Sequence, residues 1–270
     1  MTYEHLKLTR DDDGKIWRLQ LDHGKANEIG SAQLRELEAL AAELRADPVV
    51  VALVSYSRRV SSKGSPIFVA GANVTERIGW SDDQIKAHVR WQRDTLRALR
   101  TAPVFHVVVV NGIALGWGTE FLLTADYRIA ASTAEFALPE TGLGILPGAG
   151  GTSDLWRVVG PGHALRLGMT GERITAAEAA RIGLVEELAA DVDAGLARAD
   201  ALARMVARKS PTAIAAFKAG VIASMGSAPE HEIAAYERCV DTGEAAIGRG
   251  NFAKITAGEA VAWGPKLGQL

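Results

Sequence analysis

VVVNGIALGWGTEFLLTADYRIAASTAEFALPETGLGILPGAGG, running from Val108 to Gly151, is the stretch whose reading decides the fold of this 270-residue chain. Val107–Val110 is short, apolar and β-branched, the pattern of a buried strand. Asn111-Gly112 turns the chain, and Gly116-Trp117-Gly118 brings bare backbone to the start of a short helix expected over Thr119–Ala125. Glu120 falls in the first turn of that helix. Backbone N–H groups without intrahelical partners, together with the positive end of the helix dipole, favour an anion there. Twenty residues on, Pro139-Glu140 places a second carboxylate in a loop between apolar segments, and Gly148-Ala149-Gly150-Gly151 opens the next helix. Two glutamates beside glycine-rich turns are the ingredients of a proton-moving site with an oxyanion hole.

Working outward toward the N-terminus, Ile16–Leu21 alternates apolar and polar residues and reads as a half-buried strand, followed by a turn at His23–Asn27. Ser31 is the expected cap of a helix that carries Leu34, Leu37, Ala41 and Leu44 on one face. The continuous apolar run Val49–Val54 suits a strand of a parallel sheet, buried on both faces. A polar insert, Ser55 to Ser65, carries Arg58, Arg59 and Lys63; the strand Ile67–Ala70 then breaks at Gly71-Ala72-Asn73. Ile85, Val89, Leu96 and Leu99 give helical spacing to Asp82–Arg100.

On the C-terminal side, short helices are expected at Thr152–Val159 and Gly162–Leu167. Thr175-Ala176-Ala177-Glu178 is a capping box whose helix ends at Gly183, and Leu184–Leu188 is a last strand. From about Asp193 the composition turns to Ala, Leu and Arg with helical periodicity over 193–208, 211–225 and 229–246. Strands alternating with helices before an all-helical end give an α/β fold with a helical C-terminus.

Composition excludes several function classes. A net charge of −2 offers no electrostatic footprint for nucleic acid or an anionic membrane surface. The single cysteine, Cys239, rules out a disulfide framework and a cysteine metal site. No apolar run approaches the ~18 residues of a membrane span, and the N-terminus lacks the apolar core of a signal peptide. The expectation is a soluble, cytoplasmic protein with no metal and no membrane or nucleic-acid partner.

The order and spacing of four segments resemble the crotonase (enoyl-CoA hydratase/isomerase) superfamily: FVAGANV (68–74), the Val108–Gly151 stretch, TGERITAAEAARIGLV (170–185) and SPTAIAAFK (210–218). The resemblance implies a spiral of ββα units over residues 1–192 and a helical oligomerisation region over 193–270, with trimers or dimers of trimers. It also implies an acyl-CoA thioester substrate and no separate cofactor, coenzyme A being part of the substrate. By match to the family motifs, the backbone N–H groups of Ala72 and Trp117 would form the oxyanion hole, and Glu120 and Glu140 would be the two catalytic glutamates of a hydratase. Trp117 stands where the pattern has the middle of three glycines, so its indole is expected to reshape or narrow the acyl pocket. Basic residues should ring the entrance for the phosphates of CoA; Arg58, Arg59, Lys63 and Lys266 are the candidates.

Adding water to a 2-enoyl thioester puts negative charge on the thioester oxygen in the transition state, which two aligned N–H donors in a dry site answer. Glu120 as base and Glu140 as acid would hold the water between them, provided burial and repulsion drive their protonation states apart. An enoyl-CoA isomerase, or a lyase or hydrolase of the same superfamily, would need only one of these glutamates. A non-catalytic acyl-CoA-binding paralogue would need neither. A dinucleotide enzyme is disfavoured because no glycine fingerprint follows the first strand. The GAGG turn lacks the lysine of a P-loop and reads as helix-start packing. His88 and His106 read as core or pocket-lining residues, since no histidine has metal-ligand spacing.

Overall fold

The computed structural model describes residues 3–225, 233, 236–237, 240–241, 243–259 and 261. Its strands are β1 (Leu6–Arg10), β2 (Ile16–Leu21), β3 (Ala52–Tyr56), β4 (Arg59–Val60), β5 (Pro66–Val69), β6 (Phe105–Val110), β7 (Ile113–Leu115), β8 (Tyr127–Ala131), β9 (Glu135–Ala137), β10 (Ile174–Thr175) and β11 (Glu187–Ala189). Its helices include α1 (Ser31–Ala46), α2 (Asp82–Arg100), α3 (Trp117–Phe121), α4 (Leu155–Thr170), α5 (Ala176–Arg181), α6 (Val192–Val206) and α7 (Pro211–Met225). Two sheets are formed, in the orders β1-β2-β3-β6-β8-β11 and β10-β9-β7-β5-β4. Successive turns of chain give one strand to each: β3 then β5, β6 then β7, β8 then β9. The pairings between turns are parallel, because every turn runs the same way round. The chain thus deals its strands alternately into the two sheets as it spirals, with a helix closing each turn.

The four valines ending β6 show how the layers are held. Val108 and Val110 point into the main core with Phe68, Phe121 and Phe136. Val107 and Val109 point the other way, toward Ala199 and Ala203 of α6. A strand covered on both faces therefore reads as an unbroken apolar run. Gly195 lets α6 come close: a Cβ there would lie 2.7 Å from Val109 Cγ1. The first helix of the Ala/Leu/Arg-rich C-terminal segment is thus packed on the six-stranded sheet.

Several boundaries differ from the sequence reading. The run at Val49 becomes a strand only from Ala52, since the Asp47 carboxylate holds the N–H groups of Val49 and Val50 in a turn. The strand then continues through Ser55, which is buried with its Oγ 2.8 Å from His106 Nε2. Ser31 is the first residue of α1 and not its cap: the Gln33 side chain takes the N–H of Gly30, and Glu76 takes that of Ser31. The expected helices 152–159 and 162–167 are one element, Leu155–Thr170, kinked at Gly160 (φ 78) ahead of Pro161. The Thr175 cap and the glycine at 183 stand as expected. Half of the expected helix 229–246 lies outside the described residues. Among the described residues no helix is long and apolar enough to cross a membrane.

Candidate active site

Ala72, Trp117, Glu120 and Glu140 all lie on the wall of one cavity of about 440 Å³. Three stretches of the sequence are brought there by the ends of β5, β7 and β9, which are neighbours in the five-stranded sheet; Trp117 and Glu120 share α3.

Ala72 follows β5 where the chain pairs with the loop ahead of α1. Ile29 donates to Gly71 O (3.0 Å) and accepts from Asn73 N (2.8 Å), a parallel bridge centred on Ala72. In such a bridge the flanking residues bond across and the central N–H points the other way. The Ala72 N–H has no hydrogen-bond partner among the described residues. Asn27 steadies this corner. It is buried at φ 56, with its Nδ2 within 3.0 Å of Leu21 O, Ser57 Oγ and Phe68 O.

Trp117 opens α3. Gly116 takes the unusual backbone, φ 52 and ψ −119, so Trp117 itself needs no positive φ. Thr119 Oγ1 donates to Ala114 O and Ala137 O, pinning the helix to β7 and β9. The N–H groups of Thr119 and Glu120 turn back to Gly116 O, whereas that of Trp117 has no partner among the described residues. The indole stacks on Phe121, centroids 5.4 Å apart at 30°, and joins the main core while forming part of the cavity wall.

The two carboxyl groups sit in different surroundings. Glu120 Oε1 accepts from the N–H groups of Ala149 (2.7 Å) and Gly151 (2.9 Å), so the GAGG turn serves as a cradle for this side chain. Donors aimed at one oxygen suit an ionised carboxylate. Glu140 stands in a 3-10 turn, Pro139–Leu143, closed by Gly144 in the left-handed region (φ 71). Its Oε2 is buried with no hydrogen-bond partner among the described residues, and burial raises its pKa to about 7. The two carboxyl groups therefore differ in their hydrogen bonding: one oxygen of Glu120 is held by two backbone N–H groups, whereas Glu140 Oε2 has no partner among the described residues.

The sequence model of the enoyl-CoA hydratase/isomerase family matches residues 12–242. The chain belongs to that family. Among its relatives, a crotonyl-CoA hydratase of Syntrophomonas wolfei is 36% identical over 70% of each chain. A short-chain-enoyl-CoA hydratase of Clostridium acetobutylicum is 32% identical, covering 86% of this chain and 88% of that one. Among solved structures, an enoyl-CoA hydratase of Bacillus anthracis superposes with a TM-score of 0.76 at 27% identity, over 96% of this chain and 99% of its own. DspI of Pseudomonas aeruginosa gives 0.76 at 31% identity over 96% of both. The spiral described above is the crotonase fold.

The basic residues that the family resemblance pointed to for CoA do not gather at this cavity. Arg58 is 2.5 Å from Asp193, Arg59 is 2.9 Å from Asp22, and neither they nor Lys63 line the wall. Arg59 lies in β4, antiparallel to the start of β5, whereas Ala72 lies beyond the end of β5. Lys266 falls outside the described residues. His106 is a core residue: burial, then the Lys218 charge, lowers its pKa to about 3. His88 is lowered to about 4 by burial and by Arg77. Among the described residues no cluster of His, Cys, Asp and Glu could hold a metal ion.

Among the wall residues that the sequence reading missed are Arg77 and Tyr236. Arg77 follows Ala72 by five residues in a polar-looking VTER segment, and nothing in that pattern distinguishes a buried arginine from an exposed one. Tyr236 comes from the distant C-terminal segment. It stands against the GAGG turn, where a Cβ on Gly148 would lie 2.7 Å from its ring.

Proposed function

We propose that this member of the enoyl-CoA hydratase/isomerase family is a lyase that hydrates a 2-enoyl-CoA thioester to a 3-hydroxyacyl-CoA. The observation that carries the reading is the meeting, on one cavity wall, of two backbone N–H groups without partners among the described residues and two buried carboxyls in unlike surroundings. The thioester oxygen accepts from the N–H groups of Ala72 and Trp117. Glu120 takes a proton from water as the water oxygen bonds to the β-carbon. The double-bond electrons pass into the enolate held by the two donors, and Glu140 delivers its proton to the α-carbon. Exchange with solvent then restores Glu140 to its protonated form and Glu120 to its ionised form. A base and an acid held apart in protonation state suit this sequence of transfers.

Both glutamates having a task favours hydration over isomerisation, which needs one. We also assign the C-terminal helices, α7 above all, as the surface joining copies into a trimer or a dimer of trimers.

Loss of the conjugated-thioester absorbance of crotonyl-CoA follows hydration directly. Glu120→Gln and Glu140→Gln should each slow it by about 10²–10⁴-fold. Near-native rates in either variant would overturn the two-glutamate scheme. Gain of that absorbance from a 3-enoyl-CoA, with no hydration of crotonyl-CoA, would make the protein an isomerase.

A further inference from the structure

Glu120 lines two cavities. Besides the acyl cavity it forms part of the wall of a second, of about 80 Å³, and among the described residues only Ala149 also lines both. The Ala149 N–H donates to Glu120 Oε1 (2.7 Å), so a hydrogen-bonded pair is the partition between the two spaces. α2 runs past both: Val89 and Gln92 line the acyl cavity, Arg93 and Arg97 the second.

Four arginines line the second cavity, Arg93, Arg97 and Arg100 of α2 and Arg157 of α4. Two carboxylates stand against them on the wall, Asp154 and Glu120. Asp154 is engaged by Arg100 and by Arg157 (2.9 Å). Arg93 reaches Asp94 (2.8 Å), an acid outside the wall whose side chain is 63% exposed and therefore screened by water. Arg97 makes no ion pair among the described residues. Nε and Nη1 of Arg93 and Nε of Arg157 are buried with no hydrogen-bond partner among the described residues. These nitrogens are closed to solvent and to ligands alike, and they act on their surroundings through charge, which a guanidinium keeps in any protein environment.

The groups facing Glu120 from the acyl cavity answer its charge less. Burial holds the Glu140 carboxyl neutral below a pH of about 7 and pushes the Tyr236 hydroxyl up, so it too stays neutral. Arg77 has Glu76 as an electrostatic partner, and Arg173 pairs with Glu135 (3.3 Å). An acyl chain filling that cavity strips water from Glu120, which by itself favours the neutral carboxyl. The charge that opposes this stands behind Glu120.

We propose that the arginine-lined cavity holds Glu120 ionised while the substrate fills the acyl cavity, with Arg93 as a positioning residue that acts on this carboxylate through its charge. The task given to Glu120 rests on the hydratase reading, whereas the field acts on the carboxyl whatever reaction is run. That difference separates the two ideas experimentally.

A unit charge at about 10 Å, through an effective dielectric of about 20, moves a carboxyl by about one pH unit. Infrared difference spectra across pH, recorded on the full-length protein with butyryl-CoA, which cannot be hydrated, read the carboxyl without turnover. The band lost in Glu120→Gln identifies it. In Arg93→Met its midpoint should rise by about one pH unit, and Arg93→Lys, which restores the charge, should recover most of the difference. Arg97→Met should shift it the same way by less, because that side chain is exposed. An unchanged midpoint in Arg93→Met overturns the proposal; should that variant fail to fold, an unchanged midpoint in Arg97→Met overturns it. With crotonyl-CoA the acid limb of kcat should move by the same amount while KM stays nearly constant. A moved midpoint without hydration of crotonyl-CoA sinks the hydratase reading and leaves the field standing. Hydration that depends on both glutamates, with an unmoved midpoint, does the reverse.

Discussion

Glu140 shows how much a single side chain can set. The scheme needs it protonated, and burial raises its pKa from the ordinary 4.5 to about 7. The hydration rate should therefore fall as pH rises through about 7, and pH-rate profiles of wild-type protein check this directly. The same shift bears on stability. The native state favours the neutral carboxyl, so its contribution is complete below pH 4.5 and is lost as pH rises through 7. A difference of this size corresponds to about 3 kcal/mol. Glu140→Gln should then unfold at a higher temperature than wild type at pH 8, with the advantage shrinking toward pH 5, although its activity is lost. Gly116 is tied to the same carboxyl: it sits at φ 52, and a Cβ there would lie 2.6 Å from Glu140 Oε1. Gly116→Ala should lose most hydratase activity and about 1–3 kcal/mol of stability in denaturant melts. The spacing of the sequence motifs made these glycines and glutamates legible. It could not reveal Arg77, because burial of an arginine is decided by what packs over it, and Tyr236 lies more than 150 residues further along.

Among the elements, the long ones were legible and the short ones were not. Asp82–Arg100 is α2 to the residue, since Ser81 caps it and its apolar positions keep helical spacing over five turns. β7 and β9 have three residues each, too few for any period to single them out as strands. The polarity of Ser55 disguised a strand residue, because its hydroxyl is satisfied by a buried histidine that the sequence places 51 residues away. Those short strands nevertheless position the site, and so does the helix Glu244–Gly250. Gly248 in that helix lies so close to Leu143 O that a Cβ would overlap it. Leu143 ends the turn that carries Glu140. Gly248→Ala should displace this turn and lower kcat by at least about tenfold, since misplacing a reacting group by about 1 Å costs up to 10². Its melting temperature should change less than that of Gly195→Leu, which forces α6 off Val109 at about 2 kcal/mol or more.

At the scale of the molecule, α7 is the element that a single chain leaves unexplained. Its sequence, PTAIAAFKAGVIASM, has one charged residue, and that residue, Lys218, is the one buried. Lys218 Nζ donates to Val104 O (2.9 Å) and to Asp126 (2.7 Å), which roots the helix, while Phe217 stays 77% exposed and Val221 and Met225 remain open. A helix apolar around its circumference is normally covered on every side. Alongside it runs a groove of about 800 Å³ that includes Leu123, Phe105 and Ile222. The arrangement fits a helix that meets another copy of the chain, as the family resemblance implies. Light scattering should give a mass three or six times 28.6 kDa. Phe217→Asp places a charge in the middle of the apolar face and should release monomer, because a carboxylate buried there without a partner is strongly unfavourable. Leu123 lies in this groove and also directly follows the segment bearing Trp117 and Glu120, so dissociation should lower activity as well as mass. A wild-type protein that runs as a fully active monomer would show that α7 does not join copies of the chain.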